Sequence, residues 1–508
     1  MRTKAALIAI FLPLAALAQE PLSVIDWLGQ ARPSTLPGPV LLEPPVAAHA
    51  LRPEIEVSAL EELAAPLGLV PPNVTGLPID LWHGSDAGQV ARLIAEAPVK
   101  NSPAMQALFY TLLLAEKRPP MGASDAEAEA LLLAQIDRLI DLGATDPALA
   151  LAELAGPMQS RALFRRWFDS TLLTGEENDS CAALQEQPYL SPNYAATIFC
   201  TARAGDWQTA ALTLETAHAL ELLPPLQLDL LDRFLSPEIF EGAPPLPSPS
   251  APDPLTFRLY EAIGERLPST RLPRAFANAD LRDLAGWKAQ IEAAERLTRI
   301  GALNPNKLLG LYTERAPAAS GGIWDRVAAV QRFDTALTTG SAAAVAKTLP
   351  PVWAQIQAAG LEVPFAHLFA DRLAEHSLDG AAAVLAWKVR LLSPQYEAAA
   401  QQMPEDTPEY QFLAALAQGE PARTAPPDER ARAITDGFSA GVQAPQALRQ
   451  ALDAGQLGEV ILRSITLFDS GARGNPADLT AALATLRRIG LEDTARRAAL
   501  QLMLIGQG

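Results

Sequence analysis

Two cysteines and five histidines are all the soft ligands and imidazoles this chain of 508 residues has to work with, and their spacing limits the chemistry. His49, His83, His218, His367 and His376 include no pair one helical turn apart, and H-E-x-x-H does not occur. A hydrolytic zinc site of that kind therefore has no ligand set. His218 falls on the same helical side as Trp207, Ala211 and Leu214, where an edge or core residue is the simpler reading than a ligand. No G-x-S-x-G elbow, G-x-x-x-x-G-K-[ST] phosphate loop or G-x-G-x-x-G turn is present. Asp137 and Asp141 stand one turn apart, but in an acidic chain such a pair reads as a solvated face. No catalytic residue, metal ligand or cofactor site is expected.

Cys181 and Cys200 are too far apart for a C-x-x-C redox motif, and no cluster of basic residues flanks them to lower a thiol pKa. In an oxidising compartment the pair reads as a structural disulfide. Closing a loop of that size stabilises by roughly 3 kcal/mol in the chain-entropy description. The least generic stretch is the loop Pro317-Ala318-Ala319-Ser320-Gly321-Gly322 ahead of Ile323 and Trp324. Ser320, Gly321, Gly322 and Trp324 admit two readings. The small residues leave backbone N–H groups free for a partner's backbone or an anion at a helix N-terminus. Alternatively they permit a close helix crossing with Trp324 in the core.

The elements that would position these residues are helical. The stretch from Cys181 to Leu220 reads as a helical hairpin, with Ser191 as N-cap, Pro192 at the first helical position, a turn at Gly205 and Asp206 capping the second helix. Trp207, Ala210, Ala211, Leu214 and Ala217 then form one apolar side. Such a hairpin cannot bury its face alone and needs stacked neighbours. Similar signals recur. Asp86, Ser102 and the Ser124/Glu127 capping box open helices, as do Asp146-Pro147, Asn304-Pro305 and Asn475-Pro476. Leu281 to Ile300 reads as one long amphipathic helix, and Leu491 to Ile505 as the last. Alternating strand patterns and Asn-Gly hairpin turns are nearly absent. The glycine turns follow no fixed period, so the expectation is an all-α protein, an irregular α-solenoid rather than a regular 34-residue tetratricopeptide array.

Composition adds the compartment. Arg2 and Lys4, the apolar run Ala5 to Leu17 and the small-x-small site Ala16-Leu17-Ala18 predict an export signal over residues 1–18, cleaved after Ala18. No later apolar run approaches the length of a membrane span. The formal charge of −18, from 40 Lys plus Arg against 58 Asp plus Glu, argues against a nucleic-acid partner. Residues 19–56 form a proline-broken, extended arm whose apolar group Val24, Ile25, Trp27 and Leu28 either packs on its own domain or docks on a partner. Helical lobes are expected at 57–242 and 255–508, joined by the proline-rich segment 243–254.

The phrases GLPIDLWHGSD, FCTARAGDWQTAALTLE, GWKAQIEAAERLTRIGALNPNKLLGLYTERAPAASGGIWDRVAAVQ and LRRIGLEDTARRAAL, taken together, resemble a family of exported helical alphaproteobacterial proteins. Its members are mostly uncharacterised, and it takes in periplasmic flagellar-motor components of the MotK type. The resemblance implies a non-enzymatic scaffold or adaptor beside the motor, with other periplasmic or envelope proteins as partners. Two rivals are a peptidoglycan enzyme or its helical accessory subunit, and a periplasmic chaperone for an exported client.

Overall fold

The computed structural model describes residues 64–505 apart from Ala318. Residues 1–18, read from the sequence as an export signal, and the whole arm 19–56, with Val24, Ile25, Trp27 and Leu28, lie outside the described residues. Among those described, the secondary structure is twenty-five α-helices and several short 3-10 turns. There is no strand, only isolated bridges pairing Leu67 with Lys117 and Val70 with Ala115. Helices pack on their sequence neighbours from Asp125–Leu142 through Pro254–Ala262, and again from Trp287–Thr298 through Pro408–Ala417. The fold is all-α and solenoid-like.

Local chemistry starts most helices where side chains can take up the first free N–H groups. Asp86 accepts from the Gln89 N–H at 2.7 Å, Asp206 from Thr209 at 3.1 Å and Asn475 from Asp478 at 3.3 Å. Ser124 and Glu127 form both arms of the capping box. Each such cap contributes about 1 kcal/mol. Three starts differ from expectation, the first being the helix at Asp146-Pro147, which opens a residue earlier at Thr145 with no side-chain cap. In the hairpin the N-cap is Asn193, whose Oδ1 accepts from the Ala196 N–H at 2.9 Å, so Ser191 and Pro192 precede the helix. Pro188–Leu190 is a 3-10 turn with Ser191 as its C-cap, and the Ser191 hydroxyl donates to the Asn193 carbonyl at 2.8 Å, so capping falls to the side chain two residues on. The helix expected from Leu281 begins only at Trp287, after an extended Gly286. Arg282 is engaged instead by the Glu261 carboxylate, at 2.7 Å.

Cys181 on helix Glu177–Glu186 and Cys200 on helix Tyr194–Arg203 are buried and disulfide-bonded, with their Cα atoms 4.9 Å apart. Trp207 opens the next helix half exposed, its ring 6.0 Å from that of Phe234, while Ala210, Leu214 and Ala217 are buried. Ala211 faces solvent, so the buried stripe is narrower than the sequence pattern implied.

The apolar interior does not divide at the proline tract. One core takes in residues from Leu77 to Ile300 and again from Trp387 to Leu502, and a second spans Ala277 to Leu392. The tract is held down by its neighbours. Arg233 donates to the Pro244 carbonyl at 2.9 Å, Tyr260 to Pro247 at 2.7 Å, and the Leu246 N–H to Glu265 at 2.7 Å.

The first core is continuous because the last helices return to the first ones described. The Gly458 N–H donates to the Leu81 carbonyl at 3.0 Å, and Gly84 N–H to Gly455 at 3.2 Å. Gln501 accepts from the Ala104 N–H at 2.9 Å. A Cβ on Gly458 would overlap the ring of the buried Trp82.

Two stability measurements follow. Gly458→Ala should lower the urea midpoint, with a loss of roughly 1–3 kcal/mol from forced overpacking. An unchanged midpoint would mean the Trp82 seat is not tight. Cys181→Ser with Cys200→Ser should cost roughly 2–4 kcal/mol. Thiol titration of the unreduced, denatured wild-type protein should find no free thiol.

Candidate functional site

Residues 67–70 lie against the end of helix Pro103–Leu114 through backbone pairing. Leu67 and Lys117 exchange both hydrogen bonds, at 3.0 and 3.1 Å, and the Glu116 N–H reaches Val70 at 2.9 Å. The approach is close enough that a Cβ on Gly68 would overlap the backbone at Ala115 and Glu116. This pairing turns the chain sharply after the helix and brings Lys117 inward.

Lys117 is only 5% exposed. Its Nζ donates to the carbonyls of Leu113 at 2.8 Å and Ala115 at 2.9 Å, the free acceptors at the helix C-terminus. Burial alone pulls the amine down from its ordinary 10.5 to about 7, with no carboxylate offsetting the desolvation. The neighbouring Arg118 turns outward to Asp80, at 3.0 Å.

Lys117 borders a cavity of about 490 Å³, walled by the Asp125–Leu142, Thr145–Ala155 and Arg161–Thr174 helices. Leu131, Leu151, Leu163 and Trp82 make it largely apolar, and the buried Gln135 adds an amide. The exposed Asp125 and half-exposed Glu129 belong to the same lining. Trp82 is 1% exposed, and its indole N–H has no acceptor among the described residues. An apolar chamber with a few polar groups is the usual form of a small-molecule site.

The residues singled out from the sequence lie elsewhere. Ser320, Gly321 and Gly322 are exposed, and nothing lies within 4 Å of a Cβ built on either glycine. Close helix crossing is therefore not what the glycines serve. Their φ angles of +95° and +57° are the reason for glycine there. The Gly321 N–H is already taken by Asp325, at 3.0 Å, which places a carboxylate where an anion would bind. Trp324 is half-buried, its ring 5.0 Å from that of Trp287. His218 is exposed and bonds Asp232 at 2.9 Å, while Asp137 pairs with Arg166 at 2.8 Å and Asp141 with Arg138 at 2.5 Å. No group of three or more His, Cys, Asp or Glu among the described residues could hold a metal ion, and no described helix is long and apolar enough to cross a membrane.

Lys117 was not legible as a site residue. A lysine just past an apolar helix is the ordinary cation of a helix C-terminus, and nothing local distinguishes a buried one. Its burial has a measurable sign. Between the folded value near 7 and the unfolded 10.5, the unfolded chain carries the extra proton, so stability rises with pH across that window. From pH 7 to pH 10 the wild type should gain up to about 1.4 kcal/mol per pH unit over Lys117→Met, in paired urea titrations. Parallel curves would mean that the amine is not desolvated. No protein-family model matches the chain, and no significant match was found among curated proteins or solved structures.

Proposed function

We propose that this protein is a non-enzymatic periplasmic scaffold or adaptor, acting as an accessory structural component of the flagellar motor. The observation that carries the scaffold reading is the distribution of exposed apolar side chains. Six of the thirteen large ones among the described residues fall between positions 189 and 222: Tyr189, Tyr194, Trp207, Leu212, Leu220 and Leu222. They cluster on the disulfide-tied hairpin and its exit, while its other side is packed into the core. Apolar side chains concentrated on one surface element support a protein-binding role. Fixing the element by a disulfide lowers the entropy lost on association. The motor assignment and the export rest on the sequence: the resemblance for the first, the signal over residues 1–18 for the second.

Affinity purification from periplasmic extract of the native host, with quantitative mass spectrometry, tests the scaffold reading. Wild-type bait should enrich specific envelope proteins over an unrelated exported bait. Leu212→Asp with Leu220→Asp, both on exposed positions, should cut that enrichment at least tenfold while the thermal melt stays unchanged. Equal recovery by both baits would overturn the hairpin surface as the interface. A deletion strain that swims like its parent would remove the motor from the proposal.

A further inference from the structure

We propose that the cavity beside Lys117 is a binding site for a small apolar monocarboxylic acid, its carboxylate held by the Lys117 ammonium and its apolar body lying against Trp82, Leu131 and Leu163. The inference is independent of the scaffold reading, because it concerns a different part of the molecule and a different class of ligand. A volume of about 490 Å³ lies within the range that small-molecule pockets occupy. Most of the lining residues are apolar, leucine the commonest among them, which selects an apolar body.

The donor set selects the head group. A protonated Lys117 has three N–H bonds, of which the carbonyls of Leu113 and Ala115 take two. The third has no partner among the described residues. Trp82, more than nine-tenths buried, adds its apolar ring to the same lining. A buried donor left without an acceptor forfeits the hydrogen bond it had in water. One carboxylate supplies an acceptor for that third N–H and the counter-charge that the buried amine lacks. The other charged groups of the lining are Arg118, already paired with Asp80, and the carboxylates of Asp125 and Glu129. The two carboxylates are solvated, and their repulsion falls hardest on multiply charged anions such as phosphates. That leaves a monoanion with an apolar tail.

The chemistry predicts proton linkage. In the free protein above pH 7 the amine is mostly neutral, so a carboxylate entering at pH 8.5 must bring a proton with it. The test is isothermal titration of the full-length exported protein with decanoate below its micellar concentration, at pH 6.0 and 8.5, in buffers of low and high ionisation enthalpy. The expected result is saturable binding, with uptake approaching one proton per decanoate at pH 8.5 and little at pH 6.0. Lys117→Met should weaken decanoate at least tenfold and leave decanol within twofold. No saturable binding at millimolar decanoate, or binding without proton uptake at pH 8.5, overturns the proposal. The proton count uses the wild-type protein alone, so the test stands even where Lys117→Met fails to fold.

Discussion

The contact on which the architecture depends is the seat of Trp82 over Gly458. A solenoid leaves an unpaired apolar face at each end of its stack, and isolated end layers need a cover. Here the first and last described layers cover one another. The absent side chain at Gly458 lets the indole lie against the backbone of helix Leu457–Ala472. The backbone bonds from Gly458 to Leu81 and from Gly84 to Gly455 then hold the two segments in register. Gln456 adds a side-chain bond to the Gly84 carbonyl at 2.8 Å. The dense packing around a fully buried tryptophan makes this junction intolerant of even one added carbon.

A second constraint is electrostatic, and it binds the hairpin to the helices beyond the proline tract. Glu177, 1% exposed, is bracketed by Arg203 at 3.2 Å and Arg258 at 2.7 Å. Arg258 continues to Glu261, which Arg282 also engages at 2.7 Å, and Arg266 links Asp280 at 2.8 Å. Burying this many charges gains little net stability, since desolvation offsets most of the Coulombic attraction. Its effect is on register: a slipped helix would leave a buried charge unpaired, which is far more costly than the pair is favourable. Glu177 sits on the same helix as Cys181, so covalent and ionic restraints converge there. This explains why a proline-rich segment that looks like a hinge does not separate two cores.

Trp82 also lines the chamber that holds Lys117, so the junction and the cavity share a wall. A lysine amine bonded only to carbonyls and an indole N–H with no acceptor are what a low-dielectric interior normally avoids. The lysine in that lining gives the cavity its chemical character, whereas the acid-capped loop at Gly321 has its one prominent donor already satisfied.

Much of the helical text was legible from residues alone, because a cap is a contact over three residues. Asp86, Ser102, Asp206, Asn304 and Asn475 each satisfy an N–H of the turn they open, and the sequence carries both partners together. The cysteine pairing was legible too, since only one pairing within the chain exists. Tertiary structure decided the rest. It moved one cap from Ser191 to Asn193, where a 3-10 turn takes up Ser191, and it started the helix before Ile300 only after the extended Gly286. It also placed the core boundary away from residues 243–254 and turned Ser320, Gly321 and Gly322 to solvent. The candidate cavity was wholly hidden. Whether a lysine ends in water or against an apolar wall depends on helices far along the chain, and on Gly458 closing over Trp82 across a separation no local pattern can encode.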